Sequence, residues 1–383
     1  MRLAIPLVGG RQWMGGYNYI LNLFRVLRQF GSGCVEPVLF VDQHLPEPDL
    51  EPFAAIGYEI VRSRAFDPNR LTHTLLPRIV LGKDSHIDRT FRDLRIDAVF
   101  ENANYYGWRL ALPAIAWIPD FQHRYLPHMF SRAAYWKREL GLRLQVASGR
   151  TIMVSSEDAR RSCELFFPSS VGRIHAVPFT VLVNDMALAV DPAPVRLRHG
   201  LPPRYVYLPN QYWKHKNHRL VIEALSLMRD SDVVVASTGH GSDPRHPRLY
   251  EELQALVKAN GLENQFRFLG MVSYPEVIAL MRGATAILNP SLFEGWSTTV
   301  EEARALGIPL LLSDLSVHRE QMGNDAEYFP PDSPEALAAL LRKYSSSGAS
   351  SGTIDQRSPG ASHRDRLQGF AQAFERLVVH AHP

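Results

Sequence analysis

The stretch of sequence that decides the fold is residues 284–314, which read ATAILNPSLFEGWSTTVEEARALGIPLLLSD. It opens with the apolar run Ala284 to Leu288, which lacks polar alternation and is typical of a parallel strand covered on both faces. A polar turn follows, then a helical segment that stops near Gly307, and then a second apolar run that ends at Asp314. The order strand, loop, helix, strand predicts one unit of a parallel α/β sheet.

The loop inside this stretch has the features of an anion and sugar site. Thr298 followed by Glu301 has the spacing of a capping box, which predicts that Thr298 is the N-cap of the helix. In open parallel sheets ligands bind beyond the carboxyl ends of strands, and Glu294 lies at such an end. Backbone N–H groups from Ser297 to Val300 would meet a phosphate there, because the start of a helix carries partial positive charge.

At these residues the chain resembles the retaining, nucleotide-sugar-dependent glycosyltransferases of family 4. Their signature is two glutamates separated by seven residues after a Pro-Ser-hydrophobic-hydrophobic opening, and Glu294 and Glu302 have this spacing. By this resemblance Glu294 contacts the hydroxyls of the donor sugar, and Glu302 accepts hydrogen bonds from the ribose. The same resemblance implies that Thr298 and Thr299 contact the phosphates of the donor. The resemblance also implies the α/β GT-B fold, in which two doubly wound, Rossmann-like parallel-sheet domains face a central cleft.

Length and composition agree with two domains and exclude several classes of protein. A chain of 383 residues with 45% hydrophobic residues is long enough to bury two cores. The net charge of +3 is too small to favour nucleic acid as a partner. Cys34 and Cys163 are the only cysteines, so we expect no disulfide framework and a reducing cytoplasm. We expect no leader peptide, because glycines interrupt the first apolar run early.

Strand-like and helix-like segments alternate along both halves of the chain. We predict a first domain over residues 1–181, a hinge over 182–203 and a second domain over 204–362. Residues 345–362 are rich in Ser, Gly and Pro and are typical of a linker. Helical spacing resumes over residues 363–383, which the GT-B resemblance would return to the first domain.

A basic loop, residues 210–218, follows the first predicted strand of the second domain. In the resembling family this loop carries an arginine and a lysine that bind the donor diphosphate. Lys216 matches the lysine. Gln211 stands at the arginine position, and Lys214 would supply the positive charge that the arginine provides in the family. The alternative interpretation is a solvated basic loop. Another loop, at Gly239, follows a strand predicted over residues 233–236 and by the same resemblance lies near the nucleotide base.

A glycine-rich loop, residues 9–16, follows the first strand and lets backbone approach a ligand before a helix start. We place Gly15 and Gly16 near the donor phosphates and the acceptor. A dinucleotide-binding fold would also carry such a loop, with Asp42 as the ribose-binding acid, but the glycines are not spaced G-x-G-x-x-G.

Asp120 and His123 follow another predicted strand of the first domain. His123 matches by position a histidine that the family carries near the donor sugar, and Asp120 would orient it or bind the acceptor. A lone histidine is more often structural. We predict no metal, since Asp230-Ser231-Asp232 has metal-site spacing but lies at the amino end of its strand.

Residues 128–150 are basic and amphipathic, with Glu139 as the single acid. Such a helix is usually a solvated surface, and the alternative is peripheral contact with an anionic membrane at its inner face.

Together these patterns predict a metal-independent, cofactor-free retaining transferase. It moves a hexose from a GDP- or UDP-sugar, as co-substrate, to a hydroxyl of a saccharide or lipid-linked acceptor. The setting implied by analogy is cell-surface polysaccharide or glycolipid synthesis. Other hypotheses are a nucleotide-sugar epimerase, a phosphorylase, an inactive nucleotide-binding module and, least favoured, an NAD-dependent oxidoreductase.

Overall fold

The computed structural model describes residues 1–7, 9–102, 104–229, 231–243, 245–345 and 359–382, to which the statements below refer. Of the predicted linker, residues 345–362, the part 346–358 lies outside them, as does Asp230. The prediction was wrong at its two ends, because Ser345 is the last residue of one helix and residues 359–362 begin the next. The chain divides into two compact units. The first unit comprises Met1–Phe121, Arg132–Leu182 and Arg364–Pro383, and the second comprises Gln122–Ser131 and Val183–His363. The second unit therefore includes Gln122–Ser131, which the sequence-based bounds placed in the first domain.

Each unit is built on one parallel sheet. The described strands of the first unit are β1 (Arg2–Leu7), β2 (Glu36–Val41), β3 (Ile60–Arg62), β4 (Ala98–Asn102), β5 (Ala114–Trp117), β6 (Thr151–Val154) and β7 (Ile174–Ala176). Their order across the sheet is β3-β2-β1-β4-β5-β6-β7. Those of the second unit are β8 (Val206–Leu208), β9 (Val235–Thr238), β10 (Phe266–Gly270), β11 (Ala286–Asn289), β12 (Leu310–Ser313) and β13 (Glu327–Phe329), in the order β10-β9-β8-β11-β12-β13.

Helices connect the strands. Those in the described residues are α1 (Met14–Phe30), α2 (Glu47–Ala54), α3 (Pro68–His73), α4 (Leu75–Val80), α5 (Ser85–Asp93), α6 (Gln122–Tyr125), α7 (Arg132–Ala147), α8 (Glu157–Phe166), α9 (Asp185–Leu188), α10 (Pro192–Arg198), α11 (His218–Ser226), α12 (Leu249–Ala259), α13 (Tyr274–Gly283), α14 (Thr298–Ala305), α15 (Ser316–Met322), α16 (Pro334–Ser345) and α17 (Pro359–Ala381). Short 3-10 turns lie at Gly10–Trp13, Arg64–Phe66, Pro127–Met129, Pro168–Ser170 and Lys214–Lys216.

The central strands are covered on both faces. All four residues of β11 and all four of β12 are buried, as expected for apolar runs without alternation. Their register pairs Ile287 with Leu310 and Asn289 with Leu312, so the two strands end at the same edge. Two doubly wound parallel sheets confirm the predicted α/β fold class.

The last helix belongs to the first unit from Arg364 onward. Phe374 packs edge-on against Phe100 of β4 with ring centroids 5.6 Å apart. The buried Glu375 accepts hydrogen bonds from the backbone N–H of Ser32 with both carboxylate oxygens, at 3.0 Å each. Among the described residues, no helix has the length and apolarity that crossing a bilayer requires.

Candidate functional site

The strand order of the second unit reverses between β8 and β11. Later strands are added on the β9 side of β8 and on the β12 side of β11, so the loops that follow β8 and β11 leave the same edge in opposite directions. In open parallel sheets this switch point is where ligands bind. The loop at Lys216 and the loop at Glu294 are these two loops.

The loop after β8 is held in place from several sides. Tyr212 is fully buried and donates its hydroxyl to the carbonyl of Ser237, at 3.2 Å. Asn217 takes the left-handed conformation, with φ of 55°, and donates to the carbonyl of Pro331. The N–H of Leu292 donates to the carbonyl of His215 at 2.7 Å, which ties this loop to the loop after β11. These contacts therefore fix the backbone that carries the Lys216 side chain.

Lys216 and Glu294 form an ion pair at the switch point. The distance from Lys216 Nζ to Glu294 Oε1 is 2.6 Å, and the side chains are 14% and 10% exposed. Ser291 Oγ also lies 2.6 Å from Glu294 Oε1, within hydrogen-bond distance. Burial acts to raise the pKa of Glu294, but Lys216, His215 and His318 lower it to about 2. The carboxylate therefore stays ionised at neutral pH, and a cation lies beside it.

Asn289, the last residue of β11, links both loops to the helix that follows. Its side-chain oxygen accepts from Asn210 at 3.3 Å and lies 2.6 Å from Ser291 Oγ, whose single proton serves either Asn289 or Glu294. Its amide nitrogen donates to Ser297 Oγ at 2.9 Å. Asn289 is fully buried, so this hydrogen-bond network fixes the positions of the two loops and of the start of α14.

The cap of α14 is Ser297, which corrects the prediction that Thr298 is the capping residue. Ser297 has extended backbone and its hydroxyl accepts from the N–H of Val300, while Thr298 is the first helical residue. Serine is the better N-cap of the two residue types, and the contact of Asn289 with Ser297 also favours the earlier position. Thr299 is buried and Thr298 half-buried at the helix start, where an anion would be stabilised.

Glu302 lies one turn further along α14 and is only 8% exposed. Burial raises its pKa to about 7, although a hydrogen bond with the Tyr274 side chain acts in the opposite direction. The neighbouring Glu301 is bound differently, since Gln321 Nε2 donates to it at 3.2 Å. Glu302 is thus a buried carboxyl that sits close to its titration point at neutral pH.

His318 is a candidate that the sequence reasoning missed. It lies on α15, after the neighbouring strand β12, and is fully buried. Its Nδ1 lies 2.8 Å from the carbonyl of Ser313, so Nδ1 carries the proton and Nε2 is an acceptor. Within the described part of the chain Nε2 has no hydrogen-bond partner. Burial lowers the pKa of His318, although the charge of Glu294 opposes this. The signal available in the sequence was its place after a strand's carboxyl end.

The loop after β9 packs directly on the loop after β8. A Cβ at Gly239 would lie 2.4 Å from the carbonyl oxygen of Asn210, so only glycine allows this approach. Gln211 Oε1 accepts from the N–H of His240 at 2.7 Å, which gives Gln211 a role in joining the loops. Lys214 is exposed on the same loop.

The predicted residues of the other loops occupy the following places. Asp120 accepts a hydrogen bond from Arg138 at 2.7 Å within the first unit. His123 lies on α6, grouped with the second unit, and is fully buried, with its ring centroid 6.4 Å from that of Phe130.

The glycines at the start of α1 lie close to Trp13. A Cβ at Gly16 would meet ring carbons of Trp13 at 2.4 to 2.7 Å, and one at Gly15 would lie 3.7 Å from the indole nitrogen. Gly16 is therefore required for the packing of Trp13, whose ring stacks on Trp117 at 5.9 Å.

Comparisons with known proteins show that this chain is similar to glycosyltransferases. Residues 195–358 match the family model described as glycosyl transferases group 1. The O-antigen chain mannosyltransferase RfbU of Salmonella typhimurium is 28% identical over 338 residues, which are 87% of this chain and 88% of that protein.

Solved structures show the same fold over nearly the whole chain. Sucrose-phosphate synthase from Thermosynechococcus elongatus gives a TM-score of 0.69 at 16% identity, covering 99% of this chain and 98% of that one. Anabaena HepE, solved in complex with UDP and glucose, gives a TM-score of 0.65 at 14% identity, covering 99% and 96%. These likenesses concern the fold alone.

Proposed function

We propose that this protein catalyses a hexosyl transfer, because residues 195–358 match the family model of the group 1 glycosyl transferases and the chain has the GT-B fold. The protein moves a hexose from a GDP- or UDP-sugar to an acceptor hydroxyl, with retention of the anomeric configuration and without a metal. The name of the Salmonella relative favours mannose as the sugar and a saccharide or lipid-linked saccharide as the acceptor.

The observation that carries this proposal is the Lys216–Glu294 pair at the switch point of the second unit. A transfer from a nucleotide sugar breaks the bond between the anomeric carbon and the diphosphate oxygen, so negative charge grows on the diphosphate. A lysine and a helix start directed at that charge would stabilise the transition state more than the ground state. Lys216 and the start of α14 supply these two features from adjacent loops.

The two glutamates of the motif serve different parts of the donor in this proposal. Glu294, held ionised, accepts hydrogen bonds from hydroxyls of the sugar, and Glu302 accepts them from the ribose. His318 Nε2, a buried acceptor whose electrostatic neighbours include Glu294, accepts from a further sugar hydroxyl. A buried acceptor without a partner costs free energy, which a ligand hydroxyl would recover.

The remaining contacts extend the site. Lys214, Gln211, Thr298 and Thr299 serve the diphosphate, and Gly239 lies near the base. His123 contacts the donor sugar. In the first unit, Asp120, Gly15 and Gly16 contact the acceptor.

A ligand panel followed by a transfer assay tests the proposal. UDP, GDP, ADP and their sugar conjugates are compared by thermal shift, because a ligand that binds the folded state raises its Tm. The donor that binds is then supplied with and without acceptor saccharides in EDTA, and NMR of the product gives its anomeric configuration. An inverted product, or activity that EDTA abolishes, contradicts the proposed mechanism.

The same assay separates the alternatives. Sugar isomerised without an acceptor indicates an epimerase, sugar phosphate formed from inorganic phosphate indicates a phosphorylase, and nucleotide binding without turnover indicates an inactive module.

A further inference from the structure

Helix α7 of the first unit exposes two large apolar side chains one turn apart. Trp136 is 62% exposed and Leu140 is 47% exposed. Residues four apart lie on the same face of a helix, so the two side chains form one small apolar ridge. The ring of Tyr135 lies edge-on to that of Trp136, with centroids 5.5 Å apart.

The exposed charged side chains that α7 itself carries beside this ridge are all positive. Arg132 and Lys137 are exposed, and the side chain of Arg143 is 59% exposed. Glu139 is the only acid between Gln122 and Ser156, and its side chain is 1% exposed because it points inward and accepts from Arg143 at 2.7 Å. The exposed face of α7 therefore presents cations and apolar groups without an accessible carboxylate.

This composition fits a lipid surface better than a protein partner. Two apolar side chains make a small footprint, whereas a stable protein interface covers about 800 Å² on each partner. Tryptophan prefers the headgroup level of a bilayer, and neighbouring Lys and Arg are attracted to anionic lipids. A shallow apolar ridge between cations is the pattern of a helix that lies in the membrane interface.

We propose that the exposed face of α7, made of Arg132, Trp136, Lys137, Leu140 and Arg143, docks the protein on an anionic lipid surface. Trp136 and Leu140 enter the headgroup region, and the cations contact lipid phosphates. This docking does not depend on the proposed transfer reaction.

Flotation of the full chain with vesicles at 50 mM salt tests the docking. We expect binding to phosphatidylcholine vesicles that contain about 30% phosphatidylglycerol, and at least ~10-fold weaker binding to pure phosphatidylcholine. Trp136→Ser with Leu140→Ser should weaken binding at least ~10-fold, and so should Arg132→Glu with Lys137→Glu. These four side chains are exposed, and unchanged thermal melts show that the variants fold.

Leu165→Ser is the matched control. Leu165 is 70% exposed on α8, whose neighbouring residues include the acids Glu157, Asp158 and Glu164, and its replacement should leave binding unchanged.

Three results would overturn the proposal. The wild-type protein does not bind anionic vesicles, the α7 variants bind as the wild type does, or binding is lost only in the double variant Leu76→Ser with Val80→Ser. The last pair is 68% and 64% exposed on α4 and would assign the contact to a different surface.

Discussion

Ionisation of Glu302 should lower the free energy of unfolding of the protein, and Glu302→Gln should remove this loss. Burial raises the pKa of Glu302 from 4.5 to about 7. The folded protein therefore holds a proton that the unfolded chain releases between these values. Stability falls as pH rises through this window and the loss is complete above it. At about 1.4 kcal/mol per pKa unit, the full cost is about 3 kcal/mol.

The neutral amide of Gln keeps the shape and the acceptor for Tyr274 but removes the buried charge. At pH 8 the variant's second unit should exceed the wild type in free energy of unfolding by up to about 3 kcal/mol, and at pH 4.5 the two should agree within ~0.5 kcal/mol. Urea denaturation with pulse proteolysis, in which mass spectrometry counts the surviving fragments of each unit, measures this difference. Glu251→Gln, at an exposed position of α12, is the control and should change neither value.

The same substitution should weaken donor binding, because an ionised carboxylate makes the stronger hydrogen bonds to ribose hydroxyls. We expect the donor KM of the variant to rise at least ~10-fold with kcat little changed. The wild-type donor KM should rise as pH falls below about 7, where Glu302 becomes protonated, and the variant's KM should stay flat. Stability curves of wild type and variant that run parallel from pH 4.5 to 8 would refute the buried-charge argument.

Three further changes test the rest of the site. Lys216→Ala should slow transfer at least ~100-fold, measured by kinetics, and should destabilise the second unit by about 3 kcal/mol, measured by urea denaturation, because it leaves Glu294 buried without its cation. A near-normal rate would contradict a role of Lys216 at the diphosphate. His318→Leu should raise the KM for the sugar nucleotide at least ~10-fold while the affinity for free nucleotide stays constant by calorimetry, and an equal loss of both would contradict a contact with the sugar. Gly239→Ala should destabilise the second unit by about 1 to 3 kcal/mol and weaken nucleotide binding, since its Cβ would lie 2.4 Å from a backbone oxygen; an unchanged Tm counts against this packing.

Periodicity and turn chemistry were sufficient to predict the unit around Glu294. The apolar run before Asn289 and the glycine after the helix act over a few residues, so they could be recognised without knowledge of the fold. The N-cap was predicted one residue too late, because Ser297 and Thr298 both carry a hydroxyl that can cap a helix. Asn289 distinguishes them only through a side-chain contact.

By itself, then, the sequence determined two parallel α/β sheets and a polar loop at a strand's carboxyl end, because short-range patterns encode burial and turns. Only the tertiary structure decided that Lys216 meets Glu294, 78 residues away, that Lys216, His215 and His318 lower the pKa of Glu294 against the effect of burial, and that burial raises the pKa of Glu302. It also brought the buried acceptor of His318 among the electrostatic neighbours of Glu294. Distances and burial depend on which strands become neighbours, and no local pattern specifies that choice.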